Sequence, residues 1–400
     1  MAKICILGGG FIGRFYADAL TGRRSKDTVT VIYSRSESTA NRFARDFNVP
    51  HVFTSMEEAI AHPESEIVVI GLPNFQHEEA VHLCVKHRKA VLCTKPLGRN
   101  AEEALRMMKA VEDAAIFAGY LEDLCYTPKF LKSLKSVKDG AIGRILWAKS
   151  RETHPGPHAD WFWDLSLAGG GAILDMGCHC IEISRNFIGK DIKPMEVMCW
   201  ADTQVKPIDA EDHAIGLVKY ENGAIGQFEV SWTFRGGMDL RDEVMGTEGT
   251  IWLNSWLRTG FEMFTSGEGG KGYLVEKAET SNGWQFPVGD EAHELGYTNM
   301  FVDMITAYEQ QQVPMETFYD GYVVNAIIDA AYKSAQRKIW EPVNLPVWRG
   351  QSGLSKPSNY QEYDTDHWFI KTEILPDGEE KLILKHKSTG EIIEKNSRKD

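Results

Sequence analysis

A glycine run followed by several chemically reactive side chains stands out in the middle of the chain, in GGGAILDMGCHCIE at residues 169–182. Within this segment Asp175 and His179 are four positions apart, and Cys178 and Cys180 flank the histidine. Residues at this spacing share one face of a helix, so the carboxylate and the imidazole can converge on one ligand. Three interpretations are open here: a metal site, a catalytic pair, or the buried face of an ordinary helix.

The metal interpretation requires three or four ligands that converge at about 2 Å from one ion. Cys178 and Cys180 point about 200° apart on a helix, so only one of them can join His179 or Asp175. We therefore predict no metal at this site. A catalytic role is chemically reasonable, because imidazole titrates near neutral pH and can take the proton of a hydroxyl group.

The start of the chain, KICILGGGFIGRFYADAL, carries a G-x-G-x-x-G pattern between an apolar run and a helical pattern. A strand before the glycines and a helix after them are the setting of a dinucleotide-binding loop. Gly8, Gly10 and Gly13 allow a tight turn, a close approach to a pyrophosphate, and packing of the helix on the strand. The free N–H groups of the helix N-terminus, where Phe11 and Ile12 lie, then bind the phosphates.

The next strand, TVTVIYSRS, indicates which dinucleotide is preferred. An NAD-selective site normally has Asp or Glu at the end of this strand to bind the ribose 2′-hydroxyl. This chain has Ser34 and Arg35 there. A hydroxyl and a guanidinium suit a 2′-phosphate better than a carboxylate does. We expect an NAD(P) cofactor, with NADP favoured; the alternative is that Arg35 simply points into water.

Strand-like and helix-like segments alternate as far as residue 121, which is typical of a parallel, doubly wound sheet. Ligands in such sheets bind beyond the carboxyl ends of the strands. Two of these strands run into polar segments, GLPNFQH and CTKPLG. The residues predicted to lie near a nicotinamide are therefore Pro73, Asn74, His77, Lys95 and Pro96.

Composition and charge limit the partners of this 400-residue chain. A formal net charge of −13 argues against nucleic acid and against anionic membranes, since both require clustered Lys and Arg. No apolar stretch reaches the roughly 18 residues of a membrane span. The seven cysteines include no C-x-x-C pair, so neither a disulfide framework nor a zinc finger is indicated. We expect a cytoplasmic protein whose partner is a small molecule or another subunit.

The segment just before the glycine run, LWAKSRETHPGPHADWFWDL, predicts a strand and then a loop rich in aromatic and imidazole side chains. Aromatic faces with a few polar groups suit a sugar or cyclitol ring. His158 and Trp163 are therefore candidate substrate contacts. The alternative is a structural loop whose tryptophans pack on the sheet.

From about residue 194 to residue 264 the pattern is one of strands, and YENGAIGQFEV carries an Asn-Gly hairpin signal. The last 50 or so residues contain Pro-Asp-Gly and Ser-Thr-Gly turns, which suggest two hairpins.

Taken together, these motifs resemble the Gfo/Idh/MocA oxidoreductases, the glucose-fructose oxidoreductase and inositol dehydrogenase superfamily. Besides the glycine loop, the resemblance rests on GLPNFQHEEAV, on TKPLG where the family has Glu-Lys-Pro, on GGGAILDMGCHCIE and on GTEGTI. It implies an α/β fold: an N-terminal Rossmann doubly wound parallel sheet, then a C-terminal α+β domain built on a large, mostly antiparallel sheet. The expected domains are residues 1–121, residues 122–347 and a C-terminal extension at residues 348–400.

The resemblance also implies which residues act in the site between the domains. The family's catalytic trio corresponds to Lys95, Asp175 and His179. His179 is then the base, Lys95 stabilises the reacting oxygen, and Asp175 orients the substrate or tunes the imidazole. The family often places polar substrate contacts at the interdomain crossing, here GYLEDLCYTPKF, so Glu122 and Tyr126 are further candidates.

The implied activity is that of an NAD(P)-dependent dehydrogenase or reductase acting on a secondary alcohol of a sugar, cyclitol or related polyol. Two alternatives stay open: a glycosidase or lyase that retains NAD for transient sugar oxidation, and a non-catalytic nucleotide sensor. The outer face of the second sheet is the family's usual subunit interface, so a homo-oligomer, a dimer or a tetramer, is also expected.

Overall fold

The computed structural model describes residues 1–22, 25–256, 262–265, 283–286 and 289–397. The chain forms two compact units, Met1–Ser352 and Gly353–Asp400. In the described ranges, no helix combines the length and the apolar character needed to cross a membrane.

The first unit begins with a six-stranded sheet. Its strands are β1 Lys3–Leu7, β2 Thr28–Tyr33, β3 His51–Phe53, β4 Ile67–Ile70, β5 Ala90–Thr94 and β6 Ala118–Leu121. Their order is β3-β2-β1-β4-β5-β6 and every neighbouring pair is parallel. This order is that of dinucleotide-binding sheets, in which ligands bind where the order reverses, next to β1 and β4. The predicted Rossmann sheet is confirmed.

Five helices connect these strands: α1 Phe11–Ala19, α2 Glu37–Phe47, α3 Met56–Ala61, α4 His77–Lys86 and α5 Ala101–Asp113. The side chains of Ser36, Ser55 and Asn100 accept backbone N–H groups at the starts of α2, α3 and α5. Helices α1 and α4 have no side-chain cap, and the N-cap residue of α1 is Gly10. The first N–H groups of α1 are thus left for a ligand.

The rest of the first unit is built on a second sheet. Its strands are β7 Ile145–Thr153, β8 Pro194–Asp202, β9 His213–Tyr220, β10 Ile225–Ser231, β11 Asp239–Gly246, β12 Thr250–Asn254 and β15 Glu341–Pro342. A separate short pair consists of β13 Met263–Thr265 and β14 Gly283–Gln285. The seven-stranded order is β12-β11-β7-β10-β9-β8-β15, and only β7 and β10 run parallel. The β9–β10 hairpin confirms the Asn-Gly prediction. β13 and β14 pair only with each other among the described residues.

Helices of this region are α6 Pro128–Lys138, α7 Leu165–Ala168, α8 Cys178–Ile188, α9 Glu291–Glu294, α10 Tyr297–Gln310 and α11 Phe318–Arg337. Helix α8 packs on β7 and β10, which defines the inner face of the second sheet. Side chains alternate along β7, so Ser150 and Glu152 face inward while Lys149 and Arg151 face outward. The inner face of this sheet therefore supplies one wall of the site.

A single hydrophobic core extends through both sheets of the first unit. Helix α10 contacts α1, where the ring centroids of Tyr16 and Phe301 are 5.3 Å apart. Helix α11 contacts both α5 and α8. This packing fixes the glycine loop relative to the helix that carries His179.

The second unit is a four-stranded antiparallel sheet of β16 Gln361–Glu362, β17 His367–Ile374, β18 Glu380–His386 and β19 Ile392–Ser397. The two hairpins predicted for the end of the chain are confirmed as β17–β18 and β18–β19.

Candidate active site

A cleft of about 360 Å³ in the first unit is lined by residues from both sheets. The glycine loop and the carboxyl ends of the parallel strands contribute one side. The inner face of the second sheet, the loop after β7 and the segment before α8 contribute the other. The residues predicted for cofactor binding that line it are Gly8, Gly10, Phe11, Ile12, Ser34, Arg35, Pro73 and Lys95.

The three glycines of the G-x-G-x-x-G pattern differ in the space that surrounds them. Gly8 has a φ of +109°, and a Cβ there would lie 2.3 Å from the carbonyl oxygen of Gly71. A Cβ on Gly13 would lie 1.9 Å from the carbonyl oxygen of Gly8, so this glycine lets α1 pack against the loop. A Cβ on Gly10 would meet no atom within 4 Å. Gly8 and Gly13 shape the loop, whereas Gly10 leaves open space beside the N-terminus of α1.

The residues around this open space fit a dinucleotide. The uncapped N-terminus of α1 offers N–H donors to a pyrophosphate. Ser34, Arg35 and Thr39 line the same cleft beyond the end of β2, where the ribose of a bound dinucleotide would lie. Among the described residues that line the cleft, there is no carboxylate at the end of β2, as the sequence indicated.

Four other predicted cofactor residues support the loops instead of lining the cleft. Gly13 packs α1 as described above. The His77 ring is buried and its two nitrogens lie within hydrogen-bond distance of the carbonyl oxygens of Leu72 and Pro96. Asn74 donates to the carbonyl oxygen of Ala168 at 2.8 Å. Pro96 is likewise not part of the lining. These contacts join the ends of β4 and β5 to each other and to the glycine run.

The glycine run positions the segment that carries Asp175 and His179. A Cβ on Gly170 would lie 2.0 Å from the Tyr332 hydroxyl oxygen, and one on Gly171 would lie 2.1 Å from the Glu211 carbonyl oxygen. The Glu211 carboxylate in turn accepts N–H groups from this segment, including that of Ile173 at 2.8 Å. Larger residues at these glycines would displace the start of the segment.

Asp175 lies in a π-helical turn, Ile173–Gly177, which leads directly into α8. The sequence predicted an ordinary helix here, and the structure corrects that detail. Single π-helical turns inside helices frequently occur at functional sites. Both Asp175 and His179 still line the cleft.

Lys95 and Asp175 form a direct pair. The Lys95 ammonium donates to the Asp175 carbonyl oxygen at 2.8 Å and to its carboxylate Oδ1 at 3.2 Å. Burial alone would lower the pKa of Lys95, but the negative charge of Asp175 and other nearby acidic groups raises that pKa well above its usual range. Lys95 is therefore a cation at the bottom of the cleft.

The other carboxylate oxygen of Asp175 is also held. Trp232 at the end of β10 donates its indole N–H to Oδ2 at 3.0 Å, and His154 Nε2 lies 3.8 Å from the same atom. The backbone N–H of Gly156 donates to His154 Nδ1 at 3.0 Å, so the ring proton of His154 lies on Nε2. These contacts fix the Asp175 carboxylate in one orientation.

His179 is paired with Glu122 through a short hydrogen bond between Nδ1 and Oε1. Burial disfavours the charged form of both partners: it lowers the pKa of His179 to about 3 and raises that of Glu122 to about 8. The contact is thus between two uncharged groups at neutral pH, and not an ion pair. Because Nδ1 is occupied, Nε2 is the nitrogen of His179 that can meet a substrate.

Of the four predicted substrate contacts, only His158 lines the cleft. Its ring centroid lies 4.7 Å from that of Phe11 in the glycine loop. Glu122 is fully buried behind His179, and the Tyr126 hydroxyl donates to Asp303 at 2.8 Å. Trp163 packs edge-on against Trp232 with centroids 5.6 Å apart. The side chains of Glu122, Tyr126 and Trp163 therefore contact neighbouring residues and do not line the cleft.

Several lining residues were not among the predicted site residues: Asp123, Glu152, His154, Trp161, Phe162 and Tyr297. Burial raises the pKa of Asp123 to about 7 and that of Glu152 well above its usual range. A signal existed for His154 and Trp161, which lie in the segment rich in aromatic and imidazole side chains after β7. Thr94, which replaces the family's glutamate, accepts the Tyr16 hydroxyl at 2.6 Å.

One group of potential metal ligands includes site residues. Ligand atoms of Glu122, Cys178 and His179 lie within 4.8 Å of one another. However, the Cys178 thiol donates to the Asp175 carbonyl oxygen at 3.2 Å, burial raises its pKa, and Nδ1 of His179 is bound to Glu122. A thiol that keeps its proton is a poor metal ligand. The prediction of no metal is therefore retained.

Comparison with known proteins identifies the family. Residues 2–118 match the model of an oxidoreductase family with an NAD-binding Rossmann fold, and residues 130–252 match the GFO/IDH/MocA C-terminal domain. Levoglucosan dehydrogenase of Pseudarthrobacter phenanthrenivorans is 26% identical over 391 residues, which cover 85% of this chain and 98% of that protein.

Two further comparisons agree. Trans-1,2-dihydrobenzene-1,2-diol dehydrogenase of Macaca fuscata fuscata is 31% identical over 264 residues, covering 64% of this chain and 74% of that protein. The crystal structure of GenD2 from gentamicin A biosynthesis, in complex with NAD, superposes with a TM-score of 0.79 at 27% identity, covering 86% of this chain and 97% of that one. The chain belongs to the GFO/IDH/MocA family of NAD-binding oxidoreductases.

Proposed function

We propose that this protein is an NAD(P)-dependent dehydrogenase that transfers a hydride between the nicotinamide and a secondary alcohol or ketone of a sugar, cyclitol or related polyol. The observation that carries the proposal is the convergence of Lys95, Asp175 and His179 in one cleft that also contains the glycine loop. The levoglucosan and dihydrodiol dehydrogenases named above, which act on cyclic alcohols according to their names, support the substrate class.

Each residue of the trio has a chemical role that follows from its contacts. When bound, the nicotinamide supplies the hydride acceptor for alcohol oxidation. His179 takes the hydroxyl proton at Nε2, the nitrogen not used by Glu122. The Lys95 cation stabilises the negative charge that develops on the oxygen. Asp175, held by Lys95 and Trp232, orients both the lysine and the substrate.

Glu122 controls which nitrogen of His179 is basic. While Glu122 is protonated, its O–H donates to Nδ1, and the ring proton lies on Nε2, where it blocks proton uptake. Once Glu122 is ionised, Nδ1–H donates to the carboxylate and Nε2 carries a lone pair. Because burial raises the pKa of Glu122 to about 8, the base becomes active as the pH rises through that value. Glu122 is in this account a positioning residue and not a substrate contact.

For the cofactor, we propose a preference for NADP over NAD, supported by Ser34 and Arg35 at the end of β2. Arg35 is exposed and no carboxylate from that strand end lines the cleft. A guanidinium in this position can pair with a 2′-phosphate. The comparisons include a bound NAD in GenD2, so the preference must be measured on this chain.

We further propose a homo-oligomer, a dimer or a tetramer, formed through the outer face of the second sheet. That face exposes large apolar side chains from four strands: Trp147, Trp200, Ile215 and Trp252. Exposed apolar patches of this kind mark association surfaces. Sedimentation analysis of the protein and of Trp252→Asp tests this proposal, since a monomer in both would contradict it.

We also retain the domain division at residues 1–121, 122–347 and 348–400.

The dehydrogenase proposal is tested by incubating the purified protein with NAD or NADP and a panel of sugars and cyclitols. Formation of reduced nicotinamide that depends on both protein and polyol supports it. Tight binding of either cofactor without turnover of any polyol would instead favour a nucleotide sensor.

A further inference from the structure

A buried carboxyl group at the end of β7 is not used in the chemistry above. Glu152 is only 6% exposed, yet it lines the cleft. Its Oε2 is buried and has no hydrogen-bond partner among the described residues. Buried carboxyl groups are costly unless they are hydrogen-bonded or paired, so an orphaned one in a cleft requires an explanation.

The neighbours of Glu152 across the sheet cannot satisfy it. Its partner on β10 is Val230 and its partner on β11 is Leu240, and both are buried apolar residues. The adjacent inward-facing carboxyl on this sheet is different, because Asp242 accepts the Ser150 hydroxyl at 2.7 Å. A ligand in the cleft that Glu152 lines can supply the donor that these neighbours lack.

Carboxyl groups outnumber the lysine and arginine side chains among the described residues that line the cleft. Its carboxyl groups are Asp123, Glu152 and Asp175, and its lysine and arginine side chains are Lys95 and Arg35. Lys95 is bound to Asp175, and Arg35 lies beyond the end of β2, on the adenosine side of the proposed cofactor site. Within the described ranges neither Asp123 nor Glu152 forms an ion pair. Burial raises the pKa of Asp123 to about 7 and that of Glu152 well above its usual range, so both carboxyl groups ionise fully only when a cation binds beside them.

We propose that Glu152, with Asp123, forms a subsite for a protonated amino group of the substrate, so that the preferred substrates are amino sugars or aminocyclitols. This inference rests on the proposed dehydrogenase function and names its substrate class. A protonated primary amine brings one positive charge and three N–H donors, whereas a hydroxyl brings one donor and no charge. An ammonium–carboxylate contact in a buried site is a strong, charge-assisted hydrogen bond. Glu152 determines specificity in this account and does not take part in hydride or proton transfer.

The test compares pairs of compounds in which one member has an amine where the other has a hydroxyl. Amino-deoxy derivatives of D-glucose, with the amine at C2, C3 or C6, are compared with D-glucose, and scyllo-inosamine is compared with scyllo-inositol. The value of kcat/KM is measured for each compound with the native protein, Glu152→Gln and the control Asp242→Asn. In parallel, calorimetry measures binding of each compound to the protein loaded with reduced cofactor.

We expect at least one amine to be preferred over its hydroxyl counterpart. Glu152→Gln should lower kcat/KM for that amine by about 100-fold, as for the loss of one partner of a buried charge pair. The hydroxyl compound should change by less than about 3-fold, because Gln still offers a neutral acceptor. Asp242→Asn removes a buried carboxyl outside the cleft and should leave the amine preference unchanged.

Two results separate failure of the subsite from failure of the proposed function. If the hydroxyl compounds are preferred, or if Glu152→Gln affects both members of a pair equally, the subsite is wrong while the dehydrogenase stands. If nothing is oxidised, the binding data decide. Amine binding that is lost in Glu152→Gln supports the subsite without the dehydrogenase, and absence of amine binding overturns it.

Discussion

The two ends of the cleft are built in different ways. At the cofactor end, the wall is mainly backbone: a glycine loop, an uncapped helix N-terminus and open space beside Gly10. At the reacting end, the wall is a set of buried ionisable side chains around Lys95, Asp175 and His179. The first end can recognise a phosphate through shape and N–H groups. The second end depends on which protons and charges its side chains hold.

This difference predicts different sensitivities. Changes at the reacting end should alter turnover and its pH dependence while cofactor affinity is retained. Changes at the cofactor end should alter affinity while the pH dependence is retained. The following variants, taken from the largest expected effect to the smallest, separate the two ends.

His179→Ala removes the proposed base. We expect turnover to fall by roughly 10²- to 10⁴-fold, which is the usual contribution of a positioned general base. The dissociation constants of NAD and NADP should stay nearly unchanged, since His179 contacts Glu122 and not the glycine loop. Steady-state rates and cofactor titration measure the two quantities. His82→Ala, an exposed histidine on α4, is the matched control. Lost cofactor affinity in His179→Ala would make that residue structural.

Glu122→Gln tests the proton relay behind His179. We expect turnover to fall by roughly 10²-fold, because the amide cannot stabilise the imidazolium formed when Nε2 takes the proton. In the native protein, the rate of alcohol oxidation should rise as the pH passes through about 8, since burial raises the pKa of Glu122 to about 8 and its ionised form is required. This dependence should be lost in Glu122→Gln. An unchanged pH profile in the variant would exclude Glu122 as the controlling group.

Gly10→Val and Gly13→Ala distinguish a glycine that leaves room for the cofactor from a glycine that the packing of α1 requires. The valine enters open space, so cofactor affinity should fall about 10-fold with little change in melting temperature. The Gly13 Cβ would lie 1.9 Å from the Gly8 carbonyl oxygen, so this variant should lose about 1–3 kcal/mol of folding stability. Cofactor titration and thermal unfolding measure both effects. Equal loss of stability in both variants would remove the distinction between the two glycines.

Arg35→Ala should have the narrowest effect, because it should act on one cofactor only. The dissociation constant of NADP should rise by about 10-fold, which corresponds to loss of one hydrogen bond to a charged group. That of NAD should change little. Arg42→Ala, which removes an exposed arginine from the following helix α2, serves as a charge control. An equal effect of Arg35→Ala on both cofactors would contradict recognition of the 2′-phosphate.

The same contrast explains what the sequence could predict. The Rossmann sheet and the glycine loop follow from local patterns, because the backbone requires glycine at Gly8 and Gly13 for steric reasons. The spacing of Asp175 and His179 also marks the reacting end. Their supporting residues could not be found in this way: Glu122 and Trp232 come from separate segments and meet the pair only through tertiary packing. For the same reason, the sequence indicated Glu122 as a substrate contact, whereas the structure buries it behind His179.

The most direct test of the central claim follows one deuterium atom from the substrate. The best polyol from the screen is labelled at the carbon that is oxidised and incubated with the protein and the oxidised cofactor, and the products are analysed by mass spectrometry. We predict one deuterium in the released, reduced nicotinamide for every ketone formed. Product formation with the cofactor returned in its oxidised form would contradict the dehydrogenase and indicate a retained-cofactor lyase or glycosidase.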